Sequence, residues 1–459
     1  MSVVPGDLDT DRQPPMTVPL GHFVLACCFL LAAVAFELAV RTGLAPAFGS
    51  LATVHLLLVG WICLTIMGAM TQFVPVWSGT RLHSRRLAAV QLWLVSVGLL
   101  GFAGGLLAER LVVLPAAGTL LIAGFWTFVY NVGRTLRTVS GYDVTERHFA
   151  LALGFFLVVT GLGGLLALDF VRPVFAPLSV SRPAVLSAHA TLAVFGAVLT
   201  TVFGALYQLA TMFTRTEFHG IDRPLRRFEV VCYPPGVLAL AGGRLIESSP
   251  LARVGGLLVV LSVLGFGVLL GRRLFEARVE PTPMLSRYAV AAGAMALWAT
   301  LTLPTWLRDP LASDALLGAP GTRSLLLFGV VGFVVLGTLY HVVPFIVWVH
   351  RYSDRLGYEA VPMIDDLYDG RLAAADFWLL SVGTLALADR LALSPTVSMV
   401  GALLALCGAA LFSMNLLGVV RAHSPHSVFG ALVGALTAGS ERPAADGDPA
   451  GTAGDGSSD

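Results

Sequence analysis

HLLLVGWICLTIMGAMTQFVP (His55–Pro75) decides the class of this protein. Behind its histidine runs an apolar segment of about the 20 residues that cross a bilayer. Two other stretches resemble it: HATLAVFGAVLTTVFGALYQLA (His189–Ala210) and LLLFGVVGFVVLGTLYHVVP (Leu325–Pro344). All three carry a Gly-(Ala/Thr)-x-x-polar signature near one end: Gly68-Ala69 with Gln72, Gly204-Ala205 with Gln208, and Gly337-Thr338 with His341. Small residues let helix backbones approach closely in lipid, which alone accounts for the glycines. A polar residue at a fixed offset behind them, repeated three times, points to an internal repeat.

Outward from these stretches the whole chain reads the same way. Of 459 residues 56% are apolar and 12% charged, against about 25% charged in a soluble domain. A soluble globular protein is excluded, and the long continuous apolar runs exclude a β-barrel. Spans are expected near 18–41, 50–76, 87–108, 111–133, 148–171, 183–213, 228–246, 251–271, 287–307, 324–350, 371–390 and 395–421. The three related stretches are then the second, sixth and tenth spans. The expected architecture is an all-α integral membrane protein of twelve transmembrane helices in three pseudo-threefold four-helix units, about 18–135, 147–273 and 287–421. Residues 1–17 form a polar N-terminal tail, and 437–459 read as a disordered acidic tail.

All 29 basic residues are arginine. Loops after even-numbered spans hold seventeen of them and those after odd-numbered spans nine, which predicts a multi-pass plasma-membrane protein with both termini cytoplasmic. The net charge of +1 gives no case for nucleic acid; the partners implied are the lipid bilayer and a redox partner or respiratory subunit. The five cysteines lie in apolar runs with no CxxC pair, so neither a disulfide framework nor a cysteine metal site is expected.

Polar side chains in hydrocarbon need a partner or a purpose. Four histidines fall inside spans: His22, His55, His189 and His341. His55 and His189 sit at similar depth toward the arginine-poor end of equivalent helices, so together they could ligate haem iron or copper. His22 and His341 lie toward the other end. The remaining histidines, His148 among them, read as interfacial. For Glu37, Gln91, Tyr340, Asp376 and Asn415 the simple reading is an interhelical hydrogen bond and the sharper one a proton path.

At the three repeat helices the chain resembles subunit I of the haem–copper oxidases, above all the cbb3-type branch and the nitric oxide reductases. His55 with Gly68-Ala69 is similar to that family's second helix, His189 with Gly204-Ala205-Leu206-Tyr207 to its sixth, and Gly337-Thr338-Leu339-Tyr340-His341-Val342-Val343-Pro344 to its tenth. Val74-Pro75-Val76-Trp77-Ser78-Gly79 resembles a stretch of the NnrS-like haem- and copper-containing membrane proteins. The resemblance implies twelve spans in three arcs, and haem b or copper held by His55 and His189, with His341 and His22 as further cofactor candidates. It further implies electron transfer or O2/NO chemistry. The histidine pairs that the oxidases carry on their tenth and seventh helices have no counterpart here, so a complete binuclear centre is not expected. The alternatives are a cofactor-free transporter or metal-handling protein on the same scaffold, or an assembly partner of a respiratory complex.

Overall fold

A computed structural model describes residues 15–178, 180–388 and 394–437. The tail up to residue 14, Arg390 and the acidic tail from residue 438 lie outside the described residues. Regular structure among them is helical throughout, with no strand. We number the helices α1 (Thr17–Arg41), α2 (Gly49–Trp77), α3 (Arg85–Leu107), α4 (Leu111–Leu136), α5 (Val144–Asp169), α6 (Arg182–Thr214), α7 (Asp222–Leu245), α8 (Ser249–Phe275), α9 (Pro283–Arg308), α10 (Leu325–Arg351), α11 (Gly370–Leu387), α12 (Pro395–His423) and α13 (Val428–Thr437). Polar caps begin several of them. Ser84, Ser181 and Ser394 each accept a backbone N–H of the first turn, and Asp143 with Glu146 closes a capping box at α5.

Among the described residues eleven helices are long and apolar enough to cross a membrane, one fewer than expected. The exception is α7, whose first two turns carry Asp222, Arg223, Arg226, Arg227 and Glu229. It is nevertheless 24 residues long and runs unbroken through Pro234 and Pro235. The short α13 has no counterpart among the expected spans; it packs against α1.

Three helices form the interior. In α2, α6 and α10 the apolar window is 78, 83 and 89% buried, against at most 56% in the other spans. The same three each contain an eight-residue π-helical segment: Leu56–Cys63, Leu192–Leu199 and Leu325–Gly332. Each segment ends five residues before the shared glycine, at Gly68, Gly204 and Gly337. π turns are rare and gather at functional sites. At the first of these glycines a Cβ would meet the His22 Cβ of α1 at 2.7 Å, and at the second the His148 Cβ of α5 at 2.7 Å. At Gly337 it would meet the Arg287 Cβ of α9 at 3.2 Å. Eight residues earlier, at π level, Gly60, Gly196 and Gly329 face Phe29, Phe155 and Ala294 at 2.6, 3.0 and 3.0 Å. The contact register is the same in all three helix pairs. Close backbone approach of this kind is what holds helices together where lipid tails are as apolar as leucine.

Around this interior the outer helices pair in sequence order: α3 with α4, α7 with α8, α11 with α12. The pairs α4–α5 and α8–α9 pack as well, and α12 packs back on α1 to close the ring.

At the arginine-rich end buried polar side chains pin neighbouring helices to one another. His22 accepts at Nε2 from the Gln91 amide nitrogen, 3.4 Å away. His148 is buried where an interfacial place was expected, and its Nε2 lies 3.1 Å from Glu229, which also accepts from Tyr207 Oη at 2.7 Å. Arg287 and Tyr340 both donate to Asp376, and Asn415 donates to Tyr340 Oη at 3.1 Å. Gln91, Glu229 and Asp376 each lie seven residues after Ser84, Asp222 and Asp369 at the starts of their helices. Those starts are held in turn from α4, α8 and α12. Asn131 brackets the backbone of Ser84, Arg273 donates to the Asp222 carboxylate at 2.6 Å, and Asn415 brackets the backbone of Asp369.

Candidate functional site

His55 lies six residues into α2 and His189 seven into α6, roughly 10 Å along each helix from its arginine-poor end at 1.5 Å per residue. Both line one cavity of about 530 Å³, within the range of roughly 300–1,000 Å³ typical of ligand pockets. The structure therefore brings together the two histidines that the sequence singles out for matching depth. His55 Nδ1 donates to the Leu51 carbonyl at 2.8 Å, one turn back on its own helix. His189 Nδ1 donates to the Val159 carbonyl of α5 at 3.0 Å. A carbonyl can only accept, so each Nδ1 carries a hydrogen, and in the neutral ring each Nε2 keeps its lone pair. That is the tautomer a metal ligand needs, fixed by its outer hydrogen bond.

Most of the rest of the wall is apolar. Phe102, Phe125 and Phe156 face the cavity together with Val59, Ala193 and Ala197. The Phe102 ring centroid lies 4.9 Å from that of His55. Glycine makes room on α5: a Cβ at Gly163 would come within 3.0 Å of His189 Cε1. Cys63, the last residue of the π segment in α2, also lines the cavity.

A loop between α9 and α10 covers the arginine-poor end, contributing Asp314, Leu317 and Arg323 to the wall. It is held by Arg244, which is buried near the end of α7. Arg244 donates to Thr191 Oγ1 at 2.6 Å and to the carbonyls of Pro310 and Leu316 at 3.1 and 3.0 Å. Trp298 and Trp306 donate their indole N–H to Leu317 and Ala315 at 2.9 and 2.8 Å. The sequence carries no signal for this strap beyond the apolar helix end that Arg244 interrupts.

Arg323 lines a second, adjoining cavity of about 310 Å³ with Glu37, Arg41 and Ser324. Glu37 accepts from Arg41 Nε at 2.8 Å, and Arg323 Nη2 stands 3.8 Å from its other oxygen.

The other two histidines lie apart from this chamber. His22 is fully buried at the arginine-rich end, with Nδ1 on the Val18 carbonyl and Nε2 opposite Gln91. His341 packs its ring 4.1 Å from Phe213 and stacks on Phe345. Among the described residues no three His, Cys, Asp or Glu side chains converge as a metal cluster. A comparison with protein-family models and with curated protein sequences finds no match for this chain.

Proposed function

We propose that this membrane protein binds haem b through His55 and His189 and takes part in electron transfer or in the chemistry of O2 or NO. The observation that carries the reading is the pair of imidazoles in one apolar cavity, each with Nδ1 tethered and Nε2 left for a ligand. Several features of the chamber fit such a group. It is large and walled by phenylalanine, it is relieved by glycine beside His189, and Arg323 stands at its rim where a carboxylate would find a cation. Copper fits less well, since two imidazoles are half of a usual nitrogen–sulfur set and, among the described residues, Cys63 is the single soft donor on the wall. Haem b would supply one-electron chemistry. His55 and His189 would hold it, Leu51 and Val159 would fix their tautomers, and the strapped loop would exclude water.

The matching π segments, the matching glycine register and the three polar pins support an arrangement of three four-helix units. We take α7 as the twelfth crossing helix. Its length corresponds to about 36 Å at 1.5 Å per residue, and it pairs with α8 more extensively than any other two helices pair. The arginine bias then favours the arginine-rich end as cytoplasmic, in the plasma membrane.

The test is a reduced-minus-oxidised spectrum of the purified full chain, expressed with haem supplied. A Soret band is expected in the unaltered protein and its loss in both His55→Ala and His189→Ala, with His341→Ala unaffected. An unaltered protein with neither Soret band nor pyridine haemochrome sinks the reading.

A further inference from the structure

The three polar pins differ in one respect. His22 and Gln91 are neutral partners: Nδ1–H of the imidazole is given to the Val18 carbonyl, and the amide can donate to Nε2. Arg287 and Asp376 form an ion pair whose cation does not deprotonate. Neither holds a proton free to leave.

His148 does. Its Nδ1 faces the Val144 carbonyl at 2.7 Å, so that nitrogen carries a hydrogen. Its Nε2 lies 3.1 Å from Glu229 Oε1. Two lone pairs do not share that distance, so a second hydrogen lies between them, on the ring or on the carboxyl. With it the group is neutral overall; without it a buried carboxylate faces an imidazole lone pair, a costly state. All three members are buried, with His148 and Tyr207 4% exposed and Glu229 1% exposed.

The group also has an opening. Tyr207, whose hydroxyl donates to Glu229, lines a cavity of about 420 Å³ at the arginine-rich end. Asp143, Thr145, Gln208, Glu217 and Arg226 line it too. The charged groups around the pair come from every side. Arg226 of α7 stands 5.8 Å from the Tyr207 ring centroid. Asp143 and Glu146 begin α5, with Glu146 accepting from Ser78 Oγ at 2.9 Å. Glu217 belongs to the connection between α6 and α7.

We propose that His148, Glu229 and Tyr207 form a proton-binding site that fills and empties at the arginine-rich face through the cavity beside Tyr207. On filling, a protonated water in the cavity gives a proton to the Tyr207 oxygen as that hydroxyl passes its own hydrogen to the Glu229 carboxylate. The sum is one proton gained by the group and one lost by the water, with Tyr207 unchanged. Nothing in this depends on haem.

Infrared difference spectra of the full chain in membranes, taken between mildly acidic and mildly alkaline buffer, test it. The unaltered protein is expected to show a carboxyl or imidazole band pair that is lost in Glu229→Gln and kept in Asp376→Asn. Glutamine preserves the size and both hydrogen bonds, so folding should survive. Tyr207→Phe gives a second arm, in which the same bands should form more slowly after a pH jump. A spectrum unaltered by Glu229→Gln overturns the proposal, as does a rate unaltered by Tyr207→Phe. A merely structural pin would give no such bands in the unaltered protein, and that result overturns it as well.

Discussion

Gly318 makes the cavity's cover depend on a single hydrogen atom. Its φ is +124°, and a Cβ there would lie 2.3 Å from Trp298 Nε1, the nitrogen that holds the Leu317 carbonyl. Gly318→Ala is expected to cost about 1–3 kcal/mol, seen as a lower thermal midpoint in detergent, while Gly141→Ala on an open loop leaves the midpoint in place. The buried pair Arg287–Asp376 makes a different prediction. Removing one partner strands the other charge, so Asp376→Ala should lose about 3–5 kcal/mol. The double variant Arg287→Met/Asp376→Leu should recover most of that, because two apolar side chains leave nothing to desolvate; a double variant as unstable as the single one would contradict this. Asp376 is legible in the sequence as a costly residue. Its partner is not, because Arg287 reads as one more loop arginine and the two are 89 positions apart. Glu229 is harder still: it sits among the charges that open α7, and only its seven-residue spacing from Asp222, shared with Ser84–Gln91 and Asp369–Asp376, marks it.

At the scale of the element, the three interior helices hold the molecule together. Their glycine signature and their spacing four spans apart are readable from sequence. The π segments are not, since an apolar run looks the same whether its backbone repeats at four or five residues. What they do is visible at Gly60, where a Cβ would meet Phe29 at 2.6 Å and Leu99 at 2.8 Å. Gly60→Ala should therefore overpack the α1–α2 contact at a cost of about 1–3 kcal/mol. Gly104→Ala, with nothing within 4 Å, should be neutral or slightly stabilising. Denaturant titration of both variants compares them directly. Equal stabilities would mean that the helices part easily at π level. Matching depth is enough by itself to pair His55 with His189, because both lie about two turns from the same end of equivalent helices. The strap over them is hidden from the sequence, since its anchors, Arg244, Trp298 and Trp306, lie on other helices and reach it only in three dimensions.

For the whole molecule, the twelve expected spans correspond to twelve long helices among the described residues, and the composition of α7 alone leaves its crossing to be tested. Reporter fusions decide it. If α7 crosses, an alkaline phosphatase fused after Ile246 should be active and one fused after Ala277 inactive; the reverse pattern would place both ends of α7 on one side. The short α13 escapes a reading by spans because it follows the last of them and is too brief to register as one. It brings the end of the described chain to its beginning: α13 lies on α1, and a Cβ at Gly434 would come 2.9 Å from Thr17 Cγ2. With α12 also resting on α1, the order in which the groups of helices are strung along the chain is separable from the order in which they stand in space. A circular permutant that joins the two existing tails and opens the chain at Gly141 would read the groups as second, third, first. It should insert, fold and display the same cavity, making the ring, and not its starting point, the thing the gene encodes.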